Sequence, residues 1–101
     1  MACVAVFEEE VRRIKDYTLP SLRDLGVSES TTWKVERALQ EHCSCARSGA
    51  EAASCVFALD VVDLLNLGYP KKAEKALELI EVEDLKDALR RLIEEYRREV
   101  L

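Results

Sequence analysis

Apolar residues recur at intervals of three and four along most of this chain, which is the spacing of one face of an α-helix. In the first quarter of the chain the apolar stripe consists of Phe7, Val11, Ile14, Leu22 and Leu25. This pattern predicts a helix over about residues 4–25, which Gly26 ends. Pro20 has no amide proton and would clash with the carbonyl of Asp16, so we expect the helix to be kinked or broken there.

The same spacing predicts four further helices, over about residues 30–47, 50–67, 70–80 and 84–100. The 50–67 segment is apolar on nearly every face, which is typical of a central, buried helix. Gly68 and Pro70 follow it in the order expected of a helix end and a new helix start. No stretch alternates like a β-strand. We therefore expect an all-α, single-domain bundle of four or five helices over residues 1–101.

Composition narrows the class of protein. Of 101 residues 35% are charged, yet the formal net charge is only -5, so acids and bases alternate along solvated helix surfaces. An acidic balance disfavours non-specific nucleic-acid binding, which needs an excess of Lys and Arg. Gln40 and Asn66 are the only side-chain amides, a bias typical of thermophilic, archaeal-like sources.

The cellular location of the protein and the redox state of its cysteines are predicted from the lack of a signal peptide and of a membrane-spanning segment. The first ten residues have no basic region or cleavage site of a signal peptide, and no apolar run approaches the roughly 20 residues of a membrane span. We expect a cytoplasmic protein. Cys3, Cys43, Cys45 and Cys55 are then expected to be reduced and buried. The alternative is a bridge from Cys43 or Cys45 to Cys55, as the cytoplasm of a thermophile permits.

Two clusters of side chains have residue types that occur in metal-binding or catalytic sites. His42 and the three cysteines that follow it are metal-ligand types, but their spacing is not that of a zinc site, so no metal or cofactor is predicted. Asp60 and Asp63 lie one turn apart on the most apolar helix. We expect them to mark its solvent-facing edge or to accept hydrogen bonds from a basic side chain such as Lys34 or Arg37, and the alternative is an acid/base or metal pair. No activated nucleophile or phosphate loop is present, so we do not expect an enzyme.

Residues 19–42 can be interpreted as a helix-turn-helix. The text "LGVSESTTWKVERAL" resembles the turns of bacterial and archaeal repressors, with Gly26 in the turn. The resemblance implies a DNA-binding regulator. Its contacts would be Ser30, Thr31, Lys34 and Arg37. Three glutamates in the second helix and Ser21 at an apolar position of the motif depart from the pattern.

Residues 61–93 carry a second resemblance. Here "LLNLGY" resembles the Met-Gly-Phe loop of ubiquitin-associated-like three-helix modules, "AEKAL" their second helix and "LKDALRRL" their third. The resemblance implies a module that binds proteins. The alternative interpretation of the same residues is an ordinary helical hairpin with a glycine cap.

A third resemblance covers residues 11–68. An N-terminal helix, then "ALQEHCSCARS", then "FALDVVDLLNLG" is similar to the short archaeal helical-bundle proteins of domain of unknown function 357. Their Gly-Asp turn is replaced by Ser48-Gly49. The resemblance implies a helical bundle and no activity.

The sequence thus favours a non-catalytic module that binds a protein partner or itself, for example as a homodimer, with the helix-turn-helix as the alternative. The candidate partner surface is Leu92, Tyr96 and Val100 on the last predicted helix. These three residues would otherwise close the core.

Overall fold

Residues 7–101 are the part of the chain that the computed structural model describes, and they form five helices and no β-strand. Helix α1 has three consecutive segments, Glu8–Arg13, Ile14–Thr18 and Leu19–Leu25. The other helices are α2 (Glu29–Cys43), α3 (Gly49–Leu67), α4 (Pro70–Glu78) and α5 (Glu83–Glu99). The prediction of an all-α bundle of four or five helices is confirmed, with five helices observed. The predicted start of the first helix at residue 4 lies outside the described residues.

Helix α1 continues through Pro20 without a break. Its middle segment, Ile14–Thr18, is a π-helix, and the amide of Leu19 donates to the carbonyl of Ile14, five residues back. The wider turn suits a proline, which cannot make the ordinary bond to a carbonyl four residues back. Of the two alternatives left open by the sequence, a break is therefore excluded, and the distortion lies in the turn before the proline.

Glycines end α1 and α3 in the same way. Gly26 and Gly68 have φ angles of 126° and 91°, in the region that L side chains rarely adopt. Beyond Gly26, the amide of Val27 reaches back to the carbonyl of Leu22 at 3.1 Å. Both predicted helix ends are confirmed, and each turns the chain into the next helix within a few residues.

Helix α2 ends at Cys43, four residues before its predicted end at 47. Cys43 is bonded to Cys55 of α3, with their Cα atoms 5.6 Å apart. The chain leaves the helix after Cys43 and enters α3 at the N-cap Ser48, whose hydroxyl accepts from the amide of Glu51 at 3.1 Å. The expectation of reduced thiols is wrong here, and the alternative of a Cys43–Cys55 bridge is right. None of the described cysteines is a free thiol, and Cys3 lies outside the described residues.

Helix α3 is the central helix that the sequence predicts, and Cys55, Ala58, Val61, Val62 and Leu65 on it are fully buried. The other four helices pack around it in one contiguous apolar core. None of the helices formed by residues 7–101 is long and apolar enough to cross a bilayer.

Helices α2 and α5 lie side by side in opposite directions. At one end Glu95 of α5 accepts a hydrogen bond from the amide of Ser28, which precedes α2. At the other end Asp84 of α5 contacts His42 of α2. Polar contacts at both ends therefore fix this antiparallel pair, and the pair carries the groove described next.

Candidate functional site

The surface that the sequence selected on the last helix is mostly interior. Leu92 is 0% and Tyr96 is 3% exposed, and only Val100 is partly exposed. The prediction that they form a partner surface is therefore wrong for Leu92 and Tyr96. Both continue the apolar stripe of Leu85 and Leu89, which closes the core against the other helices.

An open groove of about 390 Å³ runs instead between α2 and α5. The residues that line it are Trp33, Lys34, Arg37, Ala38 and Glu41 of α2, and Asp84, Asp87, Ala88 and Arg91 of α5. Ala38 and Ala88 are buried, so the two helices present small side chains at the bottom of the groove. Charged side chains and one tryptophan form its walls.

Charge in the groove is divided along its length. The basic half holds Lys34, Arg37 and Arg91, and the acidic half holds Glu41, Asp84 and Asp87. The division follows from the antiparallel helices, because the N-terminal part of α2 lies beside the C-terminal part of α5. The groove therefore has a positive end and a negative end.

Trp33 stands beside the basic half. Its side chain is 51% exposed, and the guanidinium carbon of Arg37 lies 4.9 Å from the centre of the indole ring. Tryptophan and arginine are the residue types most often found at the energetic centres of protein interfaces. An exposed tryptophan stacked by an arginine is thus a pre-ordered contact, since the cation–π pair restricts both side chains.

Of the residues that line the groove, only Lys34 and Arg37 are among the candidate site residues predicted from the sequence. A signal was available. Positions 34, 37, 38 and 41, like positions 84, 87, 88 and 91, repeat at helical spacing beside the buried stripes, so each set shares one face of its helix. On each helix, then, charged residues flank one alanine along a single face. A helix face that is simply solvated would be polar throughout and would not have an alanine at its centre.

His42 closes the acidic end of the groove between two carboxylates. Its Nδ1 lies 2.7 Å from Oε2 of Glu51, and its Nε2 lies 2.8 Å from Oδ2 of Asp84. The ring therefore joins α2, the start of α3 and the start of α5. The side chains of His42 and Glu51 are only 14% and 12% exposed, whereas that of Asp84 is 58% exposed.

The pKa values in this cluster shift toward the charged forms. Burial alone would lower the pKa of His42, but its hydrogen bonds to Asp84 and Glu51 outweigh burial and raise it. The amide of Arg47, and then His42, lower the pKa of the Glu51 carboxyl. Burial acts to raise the pKa of Asp84, but the bond to His42 and helix-start amides bring it below its ordinary value. With Cys43 and Cys55 bonded to each other, the cysteines that neighbour His42 on α2 and α3 are not a zinc set with it.

The N-terminus of α2 is occupied by a carboxylate of the same chain. Glu95 accepts from the amide of Ser28 at 2.6 Å, from its hydroxyl at 3.0 Å, and from the hydroxyl of Thr31. Burial opposes ionisation of Glu95, but these hydrogen bonds outweigh it and hold its pKa below the ordinary value. A DNA phosphate would have to displace this carboxylate to reach the helix start.

The four residues predicted to contact DNA differ in whether their side chains are available. Ser30 is exposed, with its hydroxyl 3.4 Å from that of Ser28, and Lys34 and Arg37 are exposed in the groove. Thr31 is held by Glu95, as described above. The structure thus brings Lys34 and Arg37 together and commits Thr31 elsewhere.

Asp60 and Asp63 lie away from the groove. Asp63 makes a two-pronged bond to Arg13 of α1, with distances of 2.9 and 3.0 Å. The pKa of Asp60 is raised, by burial first and then by the charge of Asp63. The expected basic partner exists, but it is Arg13 rather than Lys34 or Arg37.

Comparison of the chain with protein-family models, with curated proteins and with solved structures found no match. The resemblances to repressor turns, to ubiquitin-associated-like modules and to archaeal helical-bundle proteins stay predictions. In the second of these, Leu67 and Tyr69 beside Gly68 are 68% and 50% exposed.

Proposed function

We propose that this protein is a non-catalytic, self-associating module whose α2–α5 groove binds the same groove of a second copy. The main support for this proposal is that the groove has a basic half and an acidic half. A two-fold axis that lies in the plane of the interface and crosses the groove at right angles would place each basic half over the partner's acidic half. Most homo-oligomers have this closed symmetry, in which one patch is its own complement.

Two further features suit a helix-on-helix contact. The buried Ala38 and Ala88 leave the middle of the groove low, so a second pair of helices can approach closely. Trp33 is half exposed and lies toward the basic end. In the two-fold arrangement it would cover the acidic end of the partner's groove and add a large apolar contact area there.

DNA binding remains the alternative, since Lys34 and Arg37 are exposed. It is less well supported, because α2 presents Glu41 beside them and Glu95 occupies its N-terminus. Two exposed cations of α1 are paired with acids, Arg13 with Asp63 at 2.9 Å and Arg12 with Glu8 at 3.9 Å. A protein interface tolerates such pairing, whereas phosphate binding needs free cations.

A charge swap tests the proposal. Lys34→Glu with Arg91→Glu makes the groove uniformly acidic, apart from Arg37, and Glu41→Lys with Asp87→Lys makes it mostly basic. Each variant alone should be monomeric by light scattering, because like charges then face each other across the two-fold axis. An equimolar mixture should form a heterodimer, and added salt should weaken it.

Both designs leave Arg37 and Asp84 intact, because these contact Trp33 and His42. Lys71→Glu with Lys75→Glu on α4 is the matched control for Lys34→Glu with Arg91→Glu, since it makes the same charge change at exposed positions outside the groove. This control should associate like the unmodified protein. A mixture that stays monomeric, or single variants that associate as before, would exclude the groove as the interface.

We also propose a cytoplasmic location in a thermophile. The disulfide supports this combination, because cytoplasmic proteins of hyperthermophiles keep disulfides that ordinary cytoplasm reduces. Dense surface charge and the scarcity of side-chain amides are consistent with the same source.

A further inference from the structure

The histidine at the acidic end of the groove has one nitrogen already committed. Nδ1 of His42 lies 2.7 Å from Glu51, and Glu51 is itself fixed by the amide of Arg47, which donates to its Oε1 at 2.6 Å. Glu51 also follows the N-cap Ser48 in the first turn of α3. The imidazole ring is thereby held with Nε2 directed away from α3 and toward Asp84.

Three potential ligand atoms converge on that side. Nε2 of His42 and carboxylate oxygens of Asp84 and Glu41 all lie within 4.8 Å of one another. Adjacent ligands of a tetrahedral zinc ion lie about 3.3 Å apart, as its bond lengths of roughly 2.0–2.1 Å require. The present separation of 2.8–2.9 Å between Nε2 and the Asp84 oxygens would have to widen slightly, and the exposed Asp84 side chain can move outward.

We propose that His42, Asp84 and Glu41 bind a divalent transition-metal ion of the zinc type, with Glu51 as the residue that orients His42. A carboxylate that accepts from the second nitrogen of a ligating histidine is the usual support of such a ligand. The ion replaces the proton on Nε2, which passes to solvent. Waters would complete the coordination, because one nitrogen and two exposed carboxylates leave positions open.

Charge balance favours the ion at this place. With neutral His42, the two ligating carboxylates carry two negative charges that a divalent ion compensates. His42 also lies in the last turn of α2, where the negative end of the helix dipole favours a cation. Nitrogen and oxygen donors together suit zinc and its neighbours better than calcium, which takes oxygen alone.

The site comes from a single chain, so it does not depend on the proposed self-association. Zinc titration followed by calorimetry is the direct measurement, and nitrogen-15 spectra of the histidine report which ring nitrogen is involved. Zinc should shift the Nε2 resonance of His42, while Nδ1 keeps its bond to Glu51. Zinc should also raise the melting temperature of the oxidised protein, and a chelator should reverse the rise.

Substitutions separate the ligands from their support. His42→Ala should abolish binding, and Glu51→Gln should weaken zinc affinity about 10–100-fold, the usual effect of losing the group that orients a ligand. Because His42 also joins three helices, Glu41→Gln is the second test, since Glu41 is exposed and contributes a ligand without that structural role. It should weaken zinc affinity at least tenfold and leave the helical circular dichroism spectrum of the metal-free protein unchanged.

Glu78→Gln, an exposed carboxylate on α4 outside this cluster, is the matched control and should bind zinc normally. The titration is repeated with Lys34→Gln and Arg91→Gln, which weaken the proposed dimer contacts and keep the ligands. Zinc binding in that variant supports the site whatever the outcome for self-association. No heat of binding at millimolar zinc, or equal affinity in Glu41→Gln and the unmodified protein, would overturn the proposal.

Discussion

Glu95→Ala is expected to lower the free energy of unfolding by about 2–3 kcal/mol. The carboxylate accepts three hydrogen bonds across the α2–α5 pair, and a hydrogen bond to a charged group contributes about 1.5–3 kcal/mol net of its exchange with water. Glu95 itself is only 9% exposed, but Ser28 is exposed, so water takes over part of the vacated hydrogen bonds and the expected loss is smaller than the sum of the three. Urea unfolding followed by circular dichroism measures the loss.

Glu94→Ala, one residue earlier and exposed, is the matched control and should change stability by less than about 0.5 kcal/mol. A similar small change for Glu95→Ala would show that the carboxylate does not hold the start of α2. The helix-turn-helix interpretation would then gain support, because the N-terminus of α2 would be open to a phosphate.

The same residue gives stability a dependence on acid. The pKa of Glu95 is lower in the folded protein than in the unfolded chain, so its contribution is complete above the unfolded pKa of about 4.3. It is lost as the pH falls through the folded pKa. Acid should therefore narrow the difference in stability between the unmodified protein and Glu95→Ala, and a difference that does not change with pH would contradict this role.

Cys43→Ala with Cys55→Ala is expected to cost about 3 kcal/mol or slightly more. A bridge that spans 12 positions restricts the unfolded chain by about 3 kcal/mol in the chain-entropy description. Both residues are fully buried, so the lost sulfur atoms also leave space in the core. The measurement is the urea midpoint of the double variant against the oxidised protein.

Substitution is preferable to a reductant here, because a reductant acts on every disulfide in the chain. Ala53→Ser on the exposed face of α3 is a control for a small change in the same helix and should be nearly neutral. If the double variant unfolds at the midpoint of the unmodified protein, the two residues are not bridged in solution. The sequence expectation of reduced thiols would then be restored.

Local signals predicted most of the fold. Apolar spacing gave the five helices, and glycine gave the ends of α1 and α3, because both depend on residues a few positions apart. Pro20 marked the distorted turn, although its form as a π-helix depends on how α1 packs. The early end of α2 was not predictable, since it reflects the bridge to Cys55 and residues of another helix.

The groove between α2 and α5 was not predictable from the sequence, because it depends on how two distant helices align. Its two walls come from helices separated by more than 40 positions, and their register is set by Ser28 with Glu95 and by His42 with Asp84. Single-helix patterns carry no information about that register. Leu92 and Tyr96 were predicted to lie on a surface, but they belong to the buried stripe that begins at Leu85. The apolar pattern alone does not show where the core of a bundle ends.

The most direct measurement is the solution mass of the oxidised protein by light scattering over a range of concentrations, repeated with a mixed DNA duplex at low salt. Self-association through the groove predicts a mass that rises with concentration from 11.5 kDa toward twice that value, and no gain in mass from DNA. A mass of 11.5 kDa at every concentration would contradict self-association. A mass that rises only with DNA, and falls again with salt, would favour the helix-turn-helix instead.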